Sequence, residues 1–376
     1  MSAWPGKYVI GLTGNIAMGK SVVRKMLEHL GAYGIDADAL SHRAIAKGAP
    51  GYKPIIEYFG QWILDENEQI DRARLGRLAF AAPSAMERLE AIIHPLVRQA
   101  VDVLVKRSGQ PVIVIEAIKL LEGDLHKSCD AIWVTNASRE TQLQRLVEKR
   151  GMLPEEAKAR IEAQSEQGGK VRAADVVIQN DLSFEVSWRQ VSTAWKGIFP
   201  TEDTGPVVIA AETGKLSAQR ARPRQAAEIA ALITRLSNGQ QSLSAEDVMA
   251  AFGEKAFMLL YRGSKLAGLV GWQVENLITR TADFYLEPAI PFGEAAHVLM
   301  AEVESASMEL QSEASLLFLP KEMAEHEKVW QALGYETRTI EGLGVRAWQE
   351  AARDSKIKGT VMLFKQLRVD RVLRPI

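Results

Sequence analysis

Cysteine is all but missing from this chain: Cys129 is the single one in 376 residues. An intramolecular disulfide and a cysteine-rich zinc site are therefore excluded, which fits a reducing cytoplasm. Neither sign of charge is in excess. The balance of 46 basic and 47 acidic residues leaves −1, which gives no case for a general nucleic-acid or membrane partner. No run of about 18 apolar residues exists to cross a bilayer. The opening Met1–Lys7 lacks a basic region followed by an apolar core, so no signal peptide is expected. There is no H-E-x-x-H pattern and no catalytic Cys/His pairing to recommend a metal or nucleophile site. By itself a lone histidine such as His94, before Pro95, reads as packed or capping.

What is present is an ordinary globular composition, 47% hydrophobic and 25% charged. The length exceeds one typical domain and suggests two. The most constraining motif is Gly14-Asn15-Ile16-Ala17-Met18-Gly19-Lys20-Ser21, which fits the phosphate-binding P-loop G-x4-G-K-[ST]. Tyr8–Leu12 before it reads as a buried strand. After it Val22, Val23, Met26, Leu27 and Leu30 recur at helical spacing. A turn in that place aims backbone N–H groups at phosphate oxygens, and the helix N-terminus adds its positive dipole end. The nucleotide contacts are expected from Gly14 through Val22. Lys20 is expected to reach the β- and γ-phosphates and the Ser21 hydroxyl to ligate Mg2+. A bare glycine turn between strand and helix is the plain alternative.

Strands are predicted at Tyr8–Leu12, Ala32–Asp36, Val112–Ile115, Ala131–Thr135 and Val176–Gln179. Helices are predicted at Lys20–His29, Arg74–Phe80, Ser84–Lys106, Arg139–Lys149 and Pro154–Gln164. Short apolar strands alternating with helices indicate a parallel sheet covered on both faces. Pro200–Pro206 reads as a linker, with 1–199 and 215–376 as domains on either side of 200–214. The second half predicts helices at Arg224–Leu236, Ala245–Phe252, Glu294–Leu310 and Glu325–Leu333. Its strands, at Ala256–Tyr261, Leu266–Val274, Thr281–Leu286, Ser315–Leu319 and Gly359–Leu367, come in runs, which is an α+β pattern. Each half is expected to own its core.

Three constellations stay open on the residues alone. Asp36 and Asp38 at the end of the second strand would point to the same side. They could supply a proton acceptor and a Mg2+ ligand for phosphoryl transfer, or merely cap the next helix. Basic residues between Arg139 and Arg172, Arg145 among them, form either a mobile lid over a triphosphate or a solvated helix face. Glu116, after Val112–Ile115, could support Mg2+, but an ordinary strand-end acid paired with Lys119 is the preferred reading.

The N-terminal half resembles the dephospho-CoA kinase family. The matching elements occur in order: Gly11-Leu12-Thr13-Gly14 with the P-loop, Asp36-Ala37-Asp38, Gly48-Ala49-Pro50-Gly51, Ile93-His94-Pro95-Leu96, Leu120-Leu121-Glu122, Glu140-Thr141-Gln142-Leu143-Gln144-Arg145, and Ala174-Asp175-Val176-Val177-Ile178-Gln179-Asn180. The resemblance implies an α/β P-loop kinase with a parallel sheet, an acceptor-binding helical region and a helical lid. It also implies ATP and Mg2+ as cofactors and dephospho-CoA as acceptor, phosphorylated on its ribose 3′-hydroxyl. Asp38 takes the base role, Asp36 and Ser21 the metal, Arg145 the lid arginine, and Asn180 the adenine end. His94 falls in the acceptor-binding region. Lys170 and Arg172 stand in for lid arginines. Ala17 and Met18 replace small residues of the family's loop and are expected to narrow the approach to the phosphates. Other small-molecule or nucleotide kinases share the fold, and a nucleotide-binding regulatory protein is an alternative of another class.

The C-terminal half more weakly resembles the GNAT acetyltransferase fold. An early helix leads into a strand meander, and Val329-Trp330-Gln331-Ala332-Leu333-Gly334-Tyr335-Glu336 looks like the late turn of that fold. Leu286–Glu294 stands where that fold carries its pyrophosphate loop. It has Pro288 and Pro291, which lack N–H donors, and the acids Glu287 and Glu294. A non-catalytic role is expected for this half. No nucleic-acid or membrane partner is expected, and the oligomeric state is left open, a monomer included.

Overall fold

The structure, a computed structural model, describes residues 3–199, 215–355, 357–370 and 372–373. The first half runs β1 (Tyr8–Thr13), α1 (Lys20–His29), β2 (Tyr33–Asp36), α2 (Ala37–Ala44), α3 (Tyr52–Phe59), α4 (Arg72–Ala81), α5 (Pro83–Arg107), β3 (Val112–Glu116), β4 (Ala131–Asn136), α6 (Arg139–Glu148), α7 (Pro154–Glu162), α8 (Gln167–Arg172), β5 (Val176–Gln179) and α9 (Phe184–Ile198). The five strands pair in the order β2-β3-β1-β4-β5, all parallel. Each predicted strand is present within one residue at either end. The reason is burial on both faces, which makes the strands nearly continuous apolar runs. On one face Val23, Met26 and Leu27 of α1 and Val191 and Trp195 of α9 meet Ile10, Leu12, Val114 and Trp133. On the other, Val97, Val101 and Leu104 of α5 meet Tyr33, Ile35, Ile113 and Ile115.

The second half runs β6 (Leu216–Arg220), α10 (Ala226–Leu236), α11 (Ala245–Ala251), β7 (Ala256–Arg262), β8 (Lys265–Glu275), β9 (Ile278–Leu286), α12 (Phe292–Glu309), β10 (Ala314–Pro320), α13 (Lys321–Ala324), α14 (Glu327–Ala332), β11 (Glu336–Thr337), α15 (Arg346–Ser355) and β12 (Thr360–Gln366). Its seven strands pair β11-β12-β10-β9-β8-β7-β6, antiparallel except for the β9–β10 pair, whose connection is the long helix α12. A four-strand meander followed by one helical crossover to a parallel neighbour is the GNAT-like α+β arrangement. Of the predicted helix Glu325–Leu333 only α14 is helical, with His326 as its N-cap, and the short α13 precedes it. Sequence periodicity missed α2, α3, α8, α9, α13, α15, β6 and β11. The expected linker, 200–214, lies outside the described residues.

The two halves do not keep wholly separate cores. Leu277 and Val372 belong to the same apolar cluster as Val9, Tyr33, Val101 and Leu104. Arg43 of α2 forms a 2.6 Å ion pair with Glu313, whose side chain is 1% exposed. The clusters around Trp272 and around Trp348 lie within the second half and those around Trp133 and around Ile55 within the first, so separate cores are joined by this shared layer. Among the described residues no helix is long and apolar enough to cross a membrane.

Candidate active site

The P-loop joins the buried end of β1 to α1 through backbone angles that suit glycine. Gly14 has φ +145°, and a Cβ there would fall 2.5 Å from the Thr135 hydroxyl. Gly19, at the N-cap of α1, has φ +91°, and a Cβ would fall 1.8 Å from Asn180 Nδ2. Ala17 adopts φ +58° without glycine's freedom, a local strain of the kind found at ligand-holding turns. The N–H groups of Gly19, Lys20, Ser21 and Val22 open α1, where no carbonyl four residues back is available to them within the helix. They are donors for an anion at the positive end of the helix dipole. Met18 is buried, and its sulfur accepts the Ala137 N–H at 3.0 Å.

Three carboxylates surround this loop. Asp36 is the N-cap of α2 and accepts the Ala39 N–H at 2.8 Å. Asp38 lies in the first turn of α2, not on the strand as the D-A-D spacing suggests, because the helix begins at Ala37. The two side chains are therefore not related by strand alternation. Asp38 accepts the Ile118 N–H at 3.0 Å. Glu116, at the end of β3, accepts the Ser21 hydroxyl at 2.9 Å and the Arg24 guanidinium at 2.7 Å. The sequence reading paired it with Lys119; Lys119 instead pairs with Glu90 at 2.9 Å. Glu116 is thus a site residue the sequence reading passed over, and the strand-plus-acid pattern was the signal for it.

The electrostatics follow from burial. Lys20 is 7% exposed; desolvation lowers its pKa from 10.5, while Glu116 and Asp38 pull the other way. Burial raises Asp38 above 3.8, with Lys20 opposing. Burial and the neighbouring Glu116 push Asp36 up to about 6. The site therefore carries the buried Glu116 and the half-buried Asp36 and Asp38, with Lys20, Arg24 and Lys170 as the cations near them. Among the described residues no group of three or more His, Cys, Asp or Glu side chains is placed to hold a metal ion.

Helices α6 to α8 cover the loop. Gln142 Nε2 donates to Ile16 O at 2.8 Å and Arg145 Nη1 to Ala17 O at 3.1 Å. Arg145 Nη2 also reaches Asn180 O at 2.6 Å, so its guanidinium is anchored to P-loop and strand-end carbonyls. Asn180 is buried and donates to Met18 O at 3.1 Å while accepting the Ser187 hydroxyl at 2.8 Å. It braces the loop from behind. Gln164 Oε1 accepts the Ile16 N–H at 2.7 Å and Gln167 Oε1 the Asn15 N–H at 3.1 Å. Lys170 is brought into the site: its ammonium donates to Ile118 O at 2.6 Å, next to the amide that Asp38 holds. Arg172 stays exposed.

A cavity of about 430 Å³ opens beside Asp38. Its wall is apolar along α5, with Met86, Leu89, Ile93 and Val97, and carries Arg98, Lys119 and Asp124 at polar positions. His94 is exposed at this cavity.

A P-loop opening on a helix, a buried lysine facing carboxylates and a helical cover define a P-loop kinase. Residues 8–185 match the family model for dephospho-CoA kinase. The dephospho-CoA kinase of Geobacter metallireducens is 44% identical over 191 residues, 50% of this chain and 95% of the relative. That of Symbiobacterium thermophilum is 41% identical over 191 residues, 50% of this chain and 80% of the relative. The chain belongs to the dephospho-CoA kinase family. The solved dephospho-CoA kinase of Campylobacter jejuni covers 52% of this chain and 100% of its own, at 25% identity and a TM-score of 0.35. A GNAT-family acetyltransferase of Streptococcus pneumoniae covers 40% of this chain and 99% of its own, at 15% identity and a TM-score of 0.32. The strand orders given above define both folds without these two likenesses.

Proposed function

We propose that the N-terminal half transfers the γ-phosphoryl group of ATP to the 3′-hydroxyl of the ribose of dephospho-CoA. The observation that carries this reading is the juxtaposition of Lys20, Asp38 and the mostly apolar cavity that Asp38 helps line. A nucleotide acceptor with a pantetheine arm presents apolar stem and charged head together, as that cavity does. Asp38 accepts the proton of the attacking hydroxyl; the oxygen bonds to the γ-phosphorus as the bond to the β-bridging oxygen breaks, releasing ADP. Lys20 and the N–H groups that open α1 hold the phosphates. We read Mg2+ as held by Ser21 with Asp36 and Glu116 nearby, where a bound ion would neutralise phosphate charge. His94 and Lys119 are read as acceptor-side contacts, and Asn180 and Arg145 as the frame of the nucleotide side. A cytoplasmic location goes with this reading, and cell fractionation would check it. We read 1–199 and 215–376 as the two domains; a first proteolytic cut outside 200–214 would move that boundary.

Turnover of dephospho-CoA with ATP and Mg2+, followed by ADP release, tests the assignment; no ADP above the acceptor-free rate would sink it. The pH profile of kcat/KM is a second reading from the same assay. Asp38 must be ionised, and burial raises it, so activity climbs with pH above the ordinary carboxylate value of 3.8. Lys20 must be charged, and burial lowers it, so activity falls before the ordinary lysine value of 10.5. A bell narrowed from both sides is expected; a plateau reaching both ordinary values would count against these roles.

For the C-terminal half we infer a non-catalytic role. Helix α12 opens behind Pro288 with Pro291 as its N-cap, so donors are missing where a pyrophosphate would dock. Glu287 there is already held by Arg235 at 2.6 Å, and Glu294 lies in the first turn. With acetyl-CoA and a panel of polyamines and lysine peptides, thiol release at the amine-free rate is expected. Amine-dependent release would overturn the inference.

A further inference from the structure

Helix α1 carries the phosphate-binding residues on its first turn and a row of buried charges on the turns behind it. Arg24, Lys25 and Glu28 are 4%, 8% and 5% exposed. Charged residues are almost never so buried unless paired, and here the pairing is continuous. The Ser21 hydroxyl donates to Glu116 Oε1 at 2.9 Å, and Arg24 Nε to Glu116 Oε2 at 2.7 Å. Arg24 Nη1 donates to Glu28 Oε1 at 2.6 Å. Lys25 Nζ donates to Glu28 Oε2 at 3.0 Å and, 249 residues along the chain, to the Val274 carbonyl at 2.8 Å. Val274 lies at the end of β8, in the GNAT-like half. An unbroken line of hydrogen bonds therefore leads from the P-loop serine to a strand of the other domain.

We propose that Lys25 is a positioning residue for the ATP phosphates, and that the GNAT-like domain, through the Val274 carbonyl, is part of the support of the P-loop. This rests on reading the P-loop as an ATP site. The physical argument has two parts. First, the network has one low-energy arrangement. Arg24 and Lys25 are paired with Glu116 and Glu28, so removing Lys25 takes a donor from the Val274 carbonyl and from one Glu28 oxygen. Second, Lys25 sits five residues after Lys20 on one helix. A rotation or shift of α1 moves Lys20, Ser21 and the first-turn N–H groups together, and displacement by about 1 Å can cost on the order of 10² in rate. Neighbouring contacts hold the same helix to the same domain. His29 Nε2 lies 2.8 Å from the Phe252 carbonyl. A Cβ at Gly253 would stand 3.2 Å from Val22 Cγ1, so that loop packs closely on the first turn of α1.

A purely structural role for Lys25 would lower stability without singling out ATP. The test uses the full-length chain with three variants, read by ATP titration calorimetry, by KM for each substrate and by thermal melting. Lys25→Met is expected to weaken ATP binding and raise KM for ATP about tenfold, with KM for dephospho-CoA within about twofold of the parent. Lys25→Arg keeps a donor for both Glu28 and Val274 and is expected to restore ATP affinity to within about threefold. Arg43→Met breaks a buried pair between the same two halves that does not lead to Ser21. It is expected to lower the melting temperature and leave ATP affinity within about twofold. If Lys25→Met does not fold, Lys25→Gln, which keeps one donor, is read by the same criteria. A folded Lys25→Met or Lys25→Gln variant with parental ATP affinity overturns the proposal. So does an Arg43→Met variant that loses ATP affinity as much as Lys25→Met. Calorimetry does not involve the acceptor: a parent chain that binds ATP but leaves dephospho-CoA unchanged sinks the acceptor assignment and leaves this test standing.

Discussion

Lys20→Ala should lower ATP-dependent turnover by on the order of 10²–10³ while the chain keeps its fold. The lysine is buried, but its ammonium has a single long contact with protein, 3.4 Å to the Asn15 carbonyl. Its other surroundings are the charges of Glu116, Asp38 and Lys170. An ammonium held in that way is poised for a phosphate, not committed to a structural partner. Preorganised charge of this kind acts where negative charge shifts during transfer, and its loss falls on the transition state. Circular dichroism and melting should stay near the parent, because removing a desolvated cation also removes its burial cost. Parental turnover in a folded Lys20→Ala chain would show that the loop does not hold the reacting phosphates.

Asp38→Asn should act on the chemical step. The amide oxygen can still accept the Ile118 N–H, so α2 and the loop after β3 keep their register. What is lost is the proton acceptor, a change of roughly 10²–10⁴ in kcat, with KM for ATP little altered. Asp36→Asn is the contrasting case. Asp36 caps α2 through the Ala39 N–H, and Asn caps a helix about as well as Asp. Its effect should stay within about tenfold and should shrink as Mg2+ is raised, if the lost oxygen charge served the ion. Equal and small effects from both substitutions would mean that both aspartates are helix-start struts, with the proton accepted elsewhere.

The donor half of this site was legible because it is local. Eight consecutive residues, Gly14–Ser21, with an apolar strand before them and helical periodicity after them, contain the whole phosphate loop. The glycines stand where φ is positive and where a side chain would strike Thr135 or Asn180. The five parallel strands were legible for a similar reason, since burial on both faces leaves an apolar run that flanking helices do not copy. Elements with mixed faces were harder. Helix α15 carries Arg346, Glu350, Arg353 and Asp354 around its buried Trp348, Ala351 and Ala352. In α9 polar residues separate the buried Ser187, Val191 and Trp195. The D-A-D motif was read as strand geometry, and the structure starts a helix at Ala37 instead, because one residue's difference in where a helix starts changes which way a carboxylate points.

Sequence alone determined the nucleotide loop, the α/β and α+β division and the candidate acids, all properties of short stretches whose backbone preferences and apolar spacing are written in neighbouring residues. Tertiary structure decided the partners. Glu116 meets Ser21 across 95 residues and Lys25 meets Val274 across 249, and no local pattern distinguishes such charges from those of a solvated helix. Which carboxylates face the lysine, and that the second domain holds the first one's phosphate helix, follow from packing. A buried charge takes the partner that the folded chain brings within about 3 Å of it, and only the assembled layers fix which one that is.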